Sequence, residues 1–177
     1  MEPNLYINNV LGALATTLAG AIDESVDQVG LRSSSAAAAI VTISNHPDES
    51  IDVLRRILNL THSGAVRLVN TLESEGMVER APSAQDRRSV VLRLTQAGET
   101  SAKAVLAARE EIVGRITDGL TAEQREALLP LLSTMLKTLT GDQNEARRNC
   151  RLCRESTCRP HGCPVEQAAT QTHPLQE

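Results

Sequence analysis

Four cysteines fall within fourteen residues, as Cys150-x2-Cys153-x4-Cys158-x4-Cys163, and the last is followed by Pro164. In a reducing compartment, thiols clustered with an x2 spacing point to a metal site before they point to structural disulfides. Arg147, Arg148, Arg151, Arg154 and Arg159 surround them with positive charge, which favours the thiolate form. Tetrahedral zinc on the four sulfurs, folding a tail with no core of its own, is the first expectation. An iron–sulfur cluster is the alternative, for which the terminal Cys-Pro is a hint. Disulfide exchange or inert thiols form the third reading. His161 lies inside the run and is expected to face solvent.

A second constellation lies between residues 51 and 95. If Ala65, Leu68, Val69 and Leu72 face a core, then Ser63, Arg67, Asn70 and Ser74 share the opposite face of one helix, free to enter a major groove. There Arg67 suits guanine or phosphate, Asn70 suits adenine, and His62 or Ser63 suits phosphate. Thr61 precedes that helix as its cap. Further on, Asp86, Arg87 and Arg88 fall at the tip of a short hairpin, a thin cationic probe of minor-groove dimensions. Asp86 beside two arginines is expected to orient a guanidinium through a bidentate pair. The segment holds seven arginines against five carboxylates, a surplus of two, so the remainder carries −6 within a chain of net charge −4. A locally basic segment in an acidic protein fits a discrete nucleic-acid face and excludes a protein that coats nucleic acid with charge. No Ser/His/Asp arrangement, phosphate loop or paired-carboxylate motif supports an enzyme.

The elements that must position these residues are legible from periodicity. Apolar residues at three- and four-residue steps predict helices over 5–28, 36–44, 51–57, 62–75, 96–117 and from Ala122 to about residue 140. Ser33 to Ser35, Ser50, Thr61 and Thr95 offer caps, and Thr121-Ala122-Glu123-Gln124 is a capping box. Residues 77–81 and 89–95 alternate with a period of two and predict a hairpin around the polar turn 82–87. Pro130 falls inside the last apolar helix, where it threatens a kink. With no Trp, no Phe and one tyrosine, Tyr6, the core must be built from Leu, Ile, Val and Ala. The uncharged stretch 3–22 lacks a basic start and carries Asn4, Asn8, Asn9, Thr16 and Thr17. Neither a signal peptide nor a membrane span is expected there, and the cytosol is the expected compartment.

Arg67-Leu68-Val69 through Leu72-Glu73, Gly76-Met77-Val78-Glu79-Arg80, Asp86-Arg87-Arg88 and Leu94-Thr95-Gln96-Ala97-Gly98 together resemble the MarR family of regulators. The resemblance covers roughly residues 5–140. It implies a mainly α winged helix-turn-helix and a homodimer whose first and last helices interlock. It also implies inverted-repeat duplex DNA as partner, and repression relieved by a small-molecule effector or by oxidation. Residue by residue, Asp86 and Arg88 match the wing pair, and Ser63 and Arg67 match recognition-helix positions. The expected organisation is a dimerisation region at 1–30 and 118–140 and a winged helix-turn-helix with linking helices at 31–117. A Cys-rich metal-binding tail at 145–165 and disorder over 166–177 complete it. The exposed apolar stripes expected at both chain ends support the dimer independently. A redox or metal-carrying protein centred on the cysteines is the alternative function.

Overall fold

The computed structural model describes residues 3–31, 33–86 and 88–172 of the 177. The chain runs α1 (Pro3–Asp27), α2 (Ser34–Asn45), α3 (Ile51–Ile57), α4 (His62–Ser74), β1 (Val78–Pro82), β2 (Val90–Leu94), α5 (Gln96–Thr117) and α6 (Ala122–Thr138). Then follow α7 (Gln143–Asn149), α8 (Glu155–Cys158), a 3-10 turn (Arg159–His161) and α9 (Pro164–Thr172). The two strands pair antiparallel, Val78 opposite Leu94 and Pro82 opposite Val90. This is the expected mainly α winged helix-turn-helix, with element limits within two residues of expectation up to α6.

The caps explain the limits. Ser33, Ser50, Thr61 and Thr95 each accept a hydrogen bond from a backbone N–H three residues on, and Thr121 with Gln124 forms the reciprocal box. Helix α4 ends where Gly76 turns left-handed at φ 69, with Gly76 N donating to Glu73 O and Met77 N to Leu72 O. Helix α6 continues through Pro130 rather than breaking there.

The core forms around α2. Ala36 to Ile43 are buried on every side, and α1, α3, α4, α5 and β2 all pack against this helix. Alanine makes that possible: a helix faced with methyl groups lets several neighbours approach it at once. Ile40, Leu54, Ile57, Leu72, Leu92 and Val105 fill the remaining space, and Tyr6 is exposed on α1, so the interior of the described residues is aliphatic throughout.

Both outer helices leave apolar faces in solvent. Leu5, Tyr6, Ile7, Val10, Leu11 and Leu14 of α1 are exposed, and α6 has no buried residue, with Leu131, Leu132, Met135 and Leu136 open. Residues 4–27 have the length and mean hydropathy, 1.4, that a membrane span would need. However, the second half of α1 is not free, because Ile22 and Val26 pack into the core.

Beyond α6 the structure departs from expectation. Residues 166–172, expected to be disordered, continue α9, whose Val165 and Ala169 bury against Ala146 and Cys163. Residues 173–177 lie outside the described residues. The tail also has the core it was expected to lack, a small one, and α9 packs on both α6 and α7. Sequence periodicity hid this because the apolar residues are few, small and spread over two short helices.

Gly98 shows how tightly the wing is bound to α5. The carbonyl of Met77 is held by Thr95 N at 3.0 Å, and a Cβ on Gly98 would collide with that same carbonyl. Gly98→Ala would gain about 1 kcal/mol of helix propensity but overpack against rigid backbone at a cost of about 3 kcal/mol. The net loss should lower the melting temperature by roughly 4–8 °C. A melting curve that stays put or moves upward would show that the Met77 carbonyl yields freely.

Candidate nucleic-acid interface and thiol cluster

Helix α4 presents the face expected of it. Ala65, Val69 and Leu72 are buried and Leu68 packs at the core edge, while His62, Ser63, Arg67, Asn70 and Ser74 are exposed. Thr61 caps the helix by accepting from Gly64 N at 3.1 Å, and its hydroxyl lies 3.3 Å from that of Ser63. The turn between α3 and α4 is closed by Leu60 N donating to Arg55 O at 2.8 Å, with Asn59 left-handed at φ 54. Asparagine is among the residues that tolerate this conformation best.

Cations near this face fall into two groups. Arg55 and Arg56 both pair with Asp52, at 2.6 and 3.0 Å; Arg93 pairs with Asp48 at 2.6 Å; Arg80 pairs with Glu73. Among the described residues of 51–95, Arg67 and Arg88 are the two arginines that hold no carboxylate. One stands on the exposed face of α4 and the other on the wing. Arg87 lies outside the described residues.

Two residues of the expected interface have partners within the chain. Among the described residues, Asp86 is held locally: its carboxylate accepts from the backbone N–H of Arg88 at 3.0 Å and from the Ser89 hydroxyl at 2.8 Å. The backbone bond first, then the hydroxyl, holds the carboxyl below its ordinary value, so it stays ionised and fixes the turn that presents Arg88. Asn70 is partly engaged, its Oδ1 accepting from Arg80 at 2.7 Å, which leaves its amide N–H groups to donate. Arg80 itself was not singled out by spacing. It sits on β1, and only the fold brings it to α4.

The four cysteines converge. All line one cavity of about 100 Å³ together with Arg147, Glu155 and Arg159, and the sulfurs of Cys150 and Cys163 are 3.9 Å apart. Cys163 is buried, Cys150 and Cys153 are half-buried and Cys158 is exposed, while His161 faces solvent as expected. The hydrogen bond from Cys150 draws the Cys153 thiol well down, against burial and with help from Arg109 and Arg151; Cys150 is raised by the same bond and by burial. Among the described residues, no group of three or more Cys, His, Asp or Glu is gathered closely enough to clasp a single ion.

This segment is strapped to the connection between α2 and α3. Asn45 Nδ2 donates to Cys153 O at 3.0 Å, His46 Nε2 and Glu155 Oε1 are 2.9 Å apart, and Arg147 donates to Glu49 at 2.9 Å. Arg154 ties the same strap to Glu110 of α5 at 2.7 Å.

Residues 30–89 match the model of the MarR family. An uncharacterised HTH-type transcriptional regulator of Bacillus subtilis, YwhA, is 29% identical over 84 residues, 48% of this chain and 60% of that protein. A second from the same organism, YdgJ, is 28% identical over 58% of this chain and 63% of its own length. The chain thus spans about 60% of the length of the curated relatives it matches. Among solved structures, a mutant of S. aureus MepR superposes with a TM-score of 0.67 at 18% identity, over 75% of this chain and 98% of that one. Streptococcus pneumoniae FabT, solved in complex with DNA, gives 0.59 at 26% identity, over 77% and 94%.

Glu155 allows a test of the strap. Burial opposes its ionisation, but the His46 hydrogen bond and the charges of His46, Arg159 and Arg147 overcome this and hold it below its ordinary value of 4.5. A lowered carboxyl stabilises the fold above the unfolded value, and that stability fades as pH falls through the lowered one. Glu155→Gln should therefore melt below wild type at about pH 5.5 and converge with it at more acid pH. A gap between the two melting curves that does not change with pH would contradict the assignment.

Proposed function

We propose that this chain is a homodimeric transcriptional regulator that binds inverted-repeat duplex DNA, acting as a repressor. The observation that carries the reading is the placement of Arg67 and Arg88, uncompensated cations on the exposed face of the recognition helix and on the wing. In this reading α4 enters the major groove, where Arg67 meets guanine or phosphate and the Asn70 amide donates to a base edge. Ser63, His62 and the exposed N-terminal turn of α4 take phosphate. Arg88, aided by Arg87, follows the minor groove. The solved FabT complex, which shares the fold, supports DNA as the partner.

The dimer rests on α1 and α6. A soluble monomer rarely leaves two long apolar faces uncovered, and a second copy covers both. Two-fold symmetry would then set the recognition helices about 34–36 Å apart, one turn of duplex. This use of α1 competes with a membrane span. The dimer is favoured because Ile22 and Val26 of the same helix belong to the core and Asn4, Asn8 and Asn9 stud its first turns.

Titration of the promoter duplex beside the chain's own gene, at several salt concentrations, tests the first part. Arg67→Ala and Arg88→Ala should each weaken binding by about tenfold and reduce the salt slope by about one if the contact is to phosphate. Undiminished binding by both variants would refute the interface. For the second part, sedimentation without detergent should give a dimer, and Leu132→Glu a monomer of unchanged helicity. A wild-type monomer, or a chain soluble only in detergent, would refute the dimer.

A further inference from the structure

We propose that Cys150, Cys153, Cys158 and Cys163 ligate an iron–sulfur cluster, and that the cluster fixes the strap that bears on the helix-turn-helix. The cluster half stands on the cavity itself; the coupling half rests on the DNA-binding function proposed above.

Three observations support a cluster, the first of which, the space between the thiols, favours it over a single zinc ion. Four thiolates closing on zinc at about 2.3 Å put every pair of sulfurs about 3.8 Å apart and leave no space between them. Here Cys150 stands 3.9 Å from Cys163 and is hydrogen-bonded to Cys153 as well, but Cys158 is exposed and, among the described residues, no three ligands are gathered closely enough for one ion. The four cysteines instead share the lining of one open cavity of about 100 Å³, several times the roughly 10–15 Å³ that one water needs. Iron and inorganic sulfide would fill that space while taking one bond from each cysteine. A cluster carrying four thiolates is anionic, and Arg147 and Arg159 line the cavity to meet it, with Arg109 and Arg151 acting on Cys153. Finally, Pro164 directly after Cys163 opens α9, so the last ligand sits at a fixed backbone corner, with Gly162 left-handed at φ 79 before it.

The cavity walls are also the strap. Cys153 offers its carbonyl to Asn45, Glu155 meets His46, and Arg147 meets Glu49. Asn45 ends α2, His46 and Glu49 belong to the link between α2 and α3, and that link is bonded to the wing as well. Leu92 N donates to Glu49 O at 3.0 Å and Asp48 N to Leu92 O at 3.2 Å, while Asp48 holds Arg93. Occupancy of the cavity orders Cys150 to Cys163, and through these contacts biases the link that seats both α3 and β2. The cluster is thereby the signal receiver of the regulator.

The test uses the full chain, purified anaerobically and reconstituted with ferric iron, sulfide and excess dithiothreitol, whose thiols supply the electrons that a mixed-valence cluster requires. Iron and acid-labile sulfide should be bound in equal amounts with broad visible absorption. Both should be lost in Cys158→Ser and Cys153→Ser while far-ultraviolet dichroism is kept. Colourless protein holding one zinc and no sulfide, protein retaining neither metal, or a cluster that survives both substitutions overturns the cluster. Holo and apo protein should then differ at least fivefold in affinity for the same duplex, and the difference should shrink in Asn45→Ala, which keeps its iron. Equal affinities overturn the coupling. If neither form binds duplex, the proposed DNA function fails instead, and the iron and sulfide content still decides the cluster.

Discussion

Everything in this molecule leans on one helix. Helix α2 is buried along most of its length, and its run of alanines sets the distance at which α1, α3, α4, α5 and β2 surround it. Close-packed interiors transmit displacements rather than absorb them. Because aromatic rings are absent from the core, the neighbours of α2 touch through branched aliphatic side chains with few alternative rotamers. The helix-turn-helix, the wing and the strap are all attached at or just beyond the C-terminal end of α2, so their relative positions follow from its seating.

That dependence explains which parts of the architecture could be seen in the sequence. Caps and periodicity are local, and Ser33, Ser50, Thr61, Thr95 and Thr121 marked helix starts because each satisfies a backbone N–H only three residues away. The exposed face of α4 followed from the buried one. By contrast, Arg80 reaches Asn70 and Glu73 across the α4–β1 turn, and Asn45 meets Cys153 across more than a hundred residues. No spacing rule announces such pairs. Asp86 is a related case: beside two arginines its charge points to guanidinium groups, while its partners among the described residues are a backbone N–H and a hydroxyl that no charge pattern announces.

The cysteine segment illustrates the same division. Its chemistry was visible in the residue types, since four thiols in fourteen residues have few ordinary uses. Its structure was not, because Ala146, Val165 and Ala169 are too small and too scattered to announce a core. Gathering the thiols takes contacts from α6 and α7 to α9, and seating them takes contacts to α3 and to the end of α2. A segment that resembled an appendage is therefore built into the side of the helix-turn-helix.

Arg80 carries one more consequence. By bridging Glu73 and Asn70 on α4 to β1, it joins the recognition helix and the wing into one stiff caliper. A caliper cannot widen or narrow to suit what it grips, so the ordering cost is met when the protein folds rather than when it binds. In the proposed function the duplex would supply the adjustment, and duplexes differ in how easily their grooves change width. Selectivity between operators would then extend to base pairs that no side chain reaches.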